Sequence, residues 1–281
     1  MAHPVAQTFK ECAELIIADK NRKGNWLYFD KDDYIIFTGD IHGHLQNLTR
    51  IINHADLGKD PRRKLILHEI IHADTSSEEG IDRSVEVLLR AARLKISHPQ
   101  QVFFLIANHD IAQITGNEIL KHDVGVCKMF NQSLDTIFGP AANEVREAIL
   151  IMLRNQPLAA RCPNGVFMAH SVPDPDKLDT IDWDIFNRPY KQEDFHRNGT
   201  VYCWTWGHVH DEEQLERISK QLDVKLFFLG HKLIQTGYEI HHQRAVILAS
   251  NHSHGAIIEF AADEPLSSET IKDCIRSIIS L

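Results

Sequence analysis

Five short apolar stretches of this 281-residue chain end abruptly in residues able to do chemistry: YIIFTGDIHGH (34 to 44), KLILHEIIH (64 to 72), VFFLIANHD (102 to 110), GVFMAHS (165 to 171) and LFFLGHK (226 to 232). Runs of this length, rich in Val, Ile and Phe, suit strands buried on both faces, which puts the polar residues at strand ends. Strand-end loops are where α/β proteins carry their sites, so five such ends point to one cluster. Helical patterns lie between and after them: Leu45 to Ala55, residues 84 to 95, 117 to 138, and 143 to 155 with Asn143 as N-cap. The alternation over the first 110 residues predicts a largely parallel sheet covered by helices.

Beyond about residue 200 the pattern turns to strands, with YEIHHQRAVILAS and HGAIIEF reading as a hairpin or meander. The final LSSETIKDCIRSIISL reads as an amphipathic helix capped by Ser267 or Ser268, with Glu269 in its first turn. The polar loop ADTSSEEGIDR (73 to 83) is the one segment expected to be mobile, and no repeat or linker divides the chain. The expected architecture is one α/β (α+β) domain over residues 1–281, a sandwich of two mixed sheets flanked by helices.

Charge narrows the partners. Thirty Lys plus Arg against 39 Asp plus Glu gives −9, a balance that argues against gripping a nucleic-acid backbone. No stretch reaches the roughly 18 apolar residues of a spanning helix, so no membrane partner is expected. Five scattered cysteines, at 12, 127, 162, 203 and 274, contain no CxxC pair and read as reduced thiols of a cytoplasmic protein.

The strand ends supply ligands for metal ions. Asp40 and His42, flanked by Gly39 and Gly43, offer an oxygen and a nitrogen to a borderline divalent cation. Asn108 adds a neutral carbonyl oxygen, and the adjacent His109 is a candidate general acid. Glu69 stands where a carboxylate can bridge two ions, the clamp suited to phosphoryl transfer. His170 and His231 each follow an apolar run. Any one of these has an ordinary reading as a turn, a cap or a hydrogen-bonded histidine; the set is what carries weight.

The order GDxHG, a strand-end carboxylate, NH followed by an acid, a strand-end His and then GH resembles the calcineurin-like metallophosphoesterases, and among them most closely the phosphoprotein phosphatases acting on phosphoserine and phosphothreonine. The likeness runs along nearly the whole chain and is most specific in residues 154 to 178 and 228 to 260. It implies two divalent metal ions (Mn, Fe or Zn), with Asp40, His42 and Glu69 on one and Glu69, Asn108, His170 and His231 on the other. It further implies in-line attack by metal-bridging water, with His109 protonating the leaving alkoxide and no phosphoenzyme. The substrate would be a phosphorylated protein or a small phosphoester.

The departures are local. Where the family has GDxxDRG, this chain reads HEIIHAD (68 to 74): Glu69 for the bridging Asp, His72 for the Asp that orients the catalytic His, and Ala73 for the phosphate-binding Arg. The expectation is that His72 or Asp74 partners His109 and that Arg83, or its loop, replaces the clamp. The other reading makes Asp82 a helix cap and Arg83 a surface charge. Arg217 lies in a helical pattern and is expected to face solvent. In GHVH (207 to 210), His208 competes with His231 as final ligand, and the context of GHK favours His231. His252 reads as a surface-loop histidine that would otherwise line the pocket. A small-molecule phosphatase or phosphodiesterase, and a catalytically silent metal-binding protein, remain alternatives to a serine/threonine phosphatase.

Overall fold

The computed structural model describes residues 2–73, 80–121, 123–267 and 269–281. Helix α1 (Pro4–Ile17) and strands β1 (Arg22–Lys23) and β2 (Trp26–Tyr28) lead into β3 (Tyr34–Thr38), α2 (Leu45–Ala55), β4 (Arg63–His68), α3 (Ser84–Ser97), β5 (Val102–Leu105) and α4 (Asn108–Thr115). A hairpin, β6 (Leu120–Lys121) and β7 (Val124–Gly125), precedes α5 (Val126–Phe138), α6 (Ala142–Arg154), β8 (Ala159–Arg161) and β9 (Val166–Ala169). Then come α7 (Thr200–Trp206), α8 (Glu212–Leu222), β10 (Leu226–Leu229), β11 (Tyr238–His241), β12 (Ala245–Leu248), β13 (Ala256–Ala261) and β14 (Ile275–Ser277).

Among the described residues the strands build two large mixed sheets, ordered β14-β13-β3-β4-β5 and β1-β2-β8-β9-β10-β12-β11. All five apolar runs are strands, three in the first sheet and two in the second. β3, β4 and β5 run parallel, with Phe37 opposite Ile66 and Ile66 opposite Phe103. The runs are continuous because both faces are covered. Ile35, Phe37, Ile66 and Phe103 share one buried layer with Met168, Phe228, Val246 and Leu248 of the other sheet. Alternate residues, among them Ile36, Leu65, Phe104, Phe167 and Ile247, pack into a second layer with the helices. Each fully buried side chain of this size contributes about 1.5–3 kcal/mol relative to exposure.

Several expectations need correction. Residues 117 to 138 are not one helix: the β6–β7 hairpin takes their first part, and α5 begins only at Val126, preceded by Gly125. The turn to strands comes later than residue 200: α7 and α8 precede β10, with Val201, Trp204 and Thr205 recurring at helical spacing on the buried side of α7. α6 starts at Ala142, one residue before the expected cap. β11 and β12 do form a hairpin, but β13 crosses to the other sheet and pairs with β3. The C-terminus is no helix: β14 pairs antiparallel with β13 between two short 3-10 turns, a course that covers the open edge of β13 and buries Ile271 and Ile278. Ser267 opens the first turn, accepting the amide of Thr270 at 3.3 Å. Ser268, Asp74 and most of the polar loop after Ala73 lie outside the described residues. The cysteines are free thiols, and no described helix is long and apolar enough to cross a membrane.

The sheets meet where β3 ends. Asp40 bridges to Ala249, its carbonyl accepts the amide of Ser250 at 3.0 Å, and the Gly39 amide donates to Ser250 Oγ at 2.9 Å. A Cβ on Gly39 would lie 2.3 Å from the Leu248 carbonyl oxygen. Gly39→Ala therefore forces this seam apart, and urea unfolding is expected to show a loss of about 1–3 kcal/mol.

Candidate metal centre

Two strand-end turns are locked to one carbonyl. The amides of Ile41 and His42 both donate to Glu69 O, at 3.0 and 2.8 Å, and the Gly43 amide donates to Ile70 O at 2.8 Å. His42, Glu69, His72 and His231 all hold left-handed backbone, at φ 41°, 49°, 61° and 71°. Each such non-glycine residue costs about 1–3 kcal/mol, which persists only where the surroundings impose it. Here the strand ends impose it; His42, Glu69 and His231 line one cavity, and His72 lies buried behind it against His109.

The cavity, about 910 Å³, is lined by Asp40, His42, Glu69, Asn108, His109 and His231, joined by Lys121, Trp206, His208, Lys232 and His252. Among the described residues, ligand-type atoms fall within 4.8 Å of one another in three groups: Glu69, His170 and His231; His42, Glu69 and His109; and Asp40, His68 and His170. Asp40, expected to share an ion with His42 and Glu69, lines the same cavity as both; its carboxylate accepts the His231 amide at 2.9 and 3.1 Å and neighbours His68 and His170. Gly230 allows this approach, since a Cβ there would sit 2.3 Å from Asp40 Oδ1 and 2.4 Å from His68 Cε1.

His68 decides which nitrogen of His170 faces the cluster. His68 Nε2 lies 2.8 Å from the Thr38 carbonyl, which only accepts, so that nitrogen carries the proton. Burial holds the His68 ring neutral, with its pKa lowered to about 3. Its Nδ1 is then an acceptor, and His170 Nδ1, 3.2 Å away, must donate. The lone pair of His170 therefore sits on Nε2, 2.8 Å from Asn108 Oδ1, 3.0 Å from Glu69 Oε2 and 3.0 Å from His231 Nδ1. Burial, then the charge of His42, also pushes His170 well below its ordinary pKa. A neutral ring leaves no proton between its Nε2 and the two oxygens, and acceptors packed this closely suit a cation. The donor set of carboxylate, amide oxygen and imidazole fits a borderline divalent ion.

A second chain reaches His109 from Arg146. Arginine only donates, so the Asn131 atom 3.0 Å from Arg146 Nε is Oδ1. Gln113 Nε2 donates to that same oxygen at 3.0 Å, which turns Gln113 Oε1 toward His72 Nε2 at 3.1 Å. His72, neutral with its pKa lowered to about 3 by burial, donates through Nε2 and accepts through Nδ1. His109 Nδ1, 2.9 Å away, supplies that hydrogen and leaves its Nε2 lone pair open. His72 thus partners His109, as one of the two expected arrangements had it. It orients the ring as a carboxylate would, but without negative charge; burial first, then His42, His72 and Lys121, hold His109 well below its usual pKa. Asp110 of NHD reaches back to the Ala107 amide at 3.0 Å and closes the first turn of α4.

These residues belong to a known architecture. The calcineurin-like phosphoesterase profile matches residues 34–235, well over half of the chain. The chain belongs to the calcineurin-like phosphoesterase family. Its fold resembles a protein serine/threonine phosphatase from Saccharomyces cerevisiae, at 17% identity over 92% of this chain and 82% of that one, with a TM-score of 0.66. It also resembles a cold-active protein-tyrosine phosphatase of a psychrophilic Shewanella species, at 14% identity over 89% and 80%, with a TM-score of 0.56. At such identities the likeness speaks for the fold alone. No curated protein matches the chain significantly by sequence.

Within this calcineurin-like scaffold the remaining candidates are placed as follows. His208 stacks on His231 with Nε2 atoms 3.3 Å apart and lies on the exposed side, so His231 is the one against the ligand cluster. His210 is buried near His241 instead. His252 lines the cavity rather than standing free, with Nε2 donating to Ile234 O at 2.8 Å. Arg83, at the start of α3, is half exposed and donates to Glu86 at 2.7 Å; it is not among the residues lining this cavity. Arg217 pairs with Asp179 on the outside, as expected. Asp82 stands one residue before the N-cap, which is Arg83, and accepts the Ser84 amide at 2.7 Å.

His68, Gln113, Lys121 and Lys232 went unremarked in the sequence. Two left a signal: His68 shares a strand face with Ile66, which points at the other sheet, and Gln113 is one helical turn from His109. Gln113→Leu strands the His72 ring nitrogen; urea unfolding should show a loss of about 1–3 kcal/mol, and ring ¹⁵N shifts of His109 should report a mixture of tautomers. Gly230→Ala is expected to displace Asp40 and weaken divalent-metal binding, measured by competition with a chelating dye, by roughly 10–100-fold.

Proposed function

We propose that this chain is a metal-dependent phosphate monoester hydrolase of the serine/threonine protein phosphatase type. The observation that carries the reading is the pairing of a neutral, orientation-fixed His109 with a ligand cluster in the same cavity. The residue order shared with the phosphoprotein phosphatases and the fold likeness to the yeast serine/threonine phosphatase support the same assignment.

Asp40, His42, Glu69, Asn108, His170 and His231 would hold two divalent ions, manganese being the choice for reconstitution, with His68 fixing His170 from behind. When bound, such ions supply positive charge for the phosphoryl oxygens and lower the pKa of a water. The chain's own part is proton handling and orientation. His109 takes a proton at Nε2 from solvent and passes it to the leaving alkoxide as the P–O bond to it breaks; a new P–O bond forms to the oxygen of water, which gives up a proton to solvent or to the product phosphate. His72 holds the ring edge-on to that task through Nδ1, and the Gln113–Asn131–Arg146 chain keeps His72 from flipping.

Metal-stripped protein reconstituted with manganese should hydrolyse a phosphoserine peptide. His109→Ala should lower that rate by about 10²–10⁴-fold, the usual contribution of a positioned acid. The loss should be smaller on p-nitrophenyl phosphate, whose leaving group needs no proton. A diester turned over faster than either monoester would favour a phosphodiesterase, and no turnover by metal-loaded protein would favour a silent binding role.

A further inference from the structure

The arginines that a phosphoryl-transfer site would use for its anionic substrate are absent from the wall of this cavity. Among its described lining residues no arginine occurs: Arg83 pairs with Glu86, Arg217 with Asp179, and Arg146 is spent on Asn131 and Asp135. A phosphate monoester carries close to two negative charges at neutral pH, so the protein needs cations there besides bound metal.

Two lysines face the cavity from separate elements. Lys121 stands on β6, with Nζ 3.3 Å from His42 Nε2 and therefore beside the ligand cluster. Lys232 directly follows His231, is half-buried, and among the described residues no carboxylate pairs with it. His42 Nδ1 lies 3.1 Å from the Ile71 carbonyl, so its Nε2 is the lone-pair nitrogen that Lys121 approaches. An ammonium and a divalent ion cannot share that nitrogen. A divalent ion held there would repel the ammonium, and the flexible lysine stem could then reach other parts of the cavity it lines.

We propose that Lys121 and Lys232 hold the non-bridging oxygens of the substrate phosphate, taking the place of the missing arginine clamp. This rests on the phosphoester reading above and assigns its anion-binding groups. Lysine suits the task as a compact charge with three donors, which tolerates the range of oxygen positions a transferring phosphoryl group passes through.

The test titrates inorganic phosphate into the full-length, manganese-loaded protein by calorimetry, with manganese content measured on the same samples. Lys121→Met and Lys232→Met should each weaken phosphate binding about tenfold or more at unchanged manganese content, and Lys121→Arg should recover most of the loss. Unchanged affinity in the double variant would overturn the proposal, as would a loaded wild type that takes up no phosphate. Tighter manganese binding by Lys121→Met with phosphate untouched would instead make Lys121 a plug of the metal position. If Arg83→Ala alone weakened phosphate, the clamp would return to α3. A wild type that binds phosphate through these lysines yet cleaves no ester would sink the hydrolase reading and leave the anion site standing.

Discussion

The carbonyl of Glu69 is the joint on which this site turns. By accepting two amides from the turn after β3, it ties neighbouring parallel strands together beyond their last ladder pair. Glu69 and His42 reach the bond only in left-handed backbone, so local strain is exchanged for a fixed mutual position. Parallel strands make this possible, since their carboxyl ends fall along one edge, and β5 brings Asn108 and His109 to the same edge. The second sheet contributes His170 and His231, and the amide of His231 on Asp40 joins the two halves. Loss of that seam would separate the ligands even with every strand intact.

Two hydrogen-bond chains then fix which ring nitrogens are available. One starts at the Thr38 carbonyl, a pure acceptor, and ends at His170 Nε2; the other starts at Arg146, a pure donor, and ends at His109 Nε2. Because each anchor has a single possible role, every proton downstream is determined. The substitution of His72 for a carboxylate is intelligible in these terms. Burying a charged partner beside His109 would carry a large desolvation cost, whereas a neutral imidazole supplies the acceptor without it. What is given up is charge assistance, which makes such bonds roughly twice as strong. His109 is therefore oriented but not held protonated, in keeping with its lowered pKa.

Much of this was legible in the chain, and the reason is geometric. Apolar runs closed by polar residues report both-face burial and the strand edge together, so Asp40, His42, Glu69, Asn108, His109, His170 and His231 could all be picked out beforehand. Elements defined by partners were not legible. The β6–β7 hairpin hides inside a helical pattern, and β14 reads as an amphipathic helix until the open edge of β13 claims it. The same holds for site residues. His72 was visible by its place in HEIIHAD, but the proton it donates is decided by Gln113, Asn131 and Arg146 across three other segments. Arg83 drew notice by its position near a displaced motif; its contact with Glu86, three residues along, had no sequence signal of comparable strength.

That last contrast separates two kinds of requirement. Metal ligands must converge within a few tenths of an ångström, and this chain places its candidate ligands on buried strand ends where hydrogen bonds and packing leave little freedom. Charge for a mobile phosphate has looser demands, since an ammonium acts over several ångströms and lysine stems adapt. Cations for substrate can therefore sit on a small hairpin and a loop, outside the rigid frame. Gly43 shows how tight that frame is: a Cβ on it would lie 2.9 Å from Ser84 Cβ and 3.0 Å from Ala73 Cβ, so the turn that aligns His42 depends on a glycine beside it.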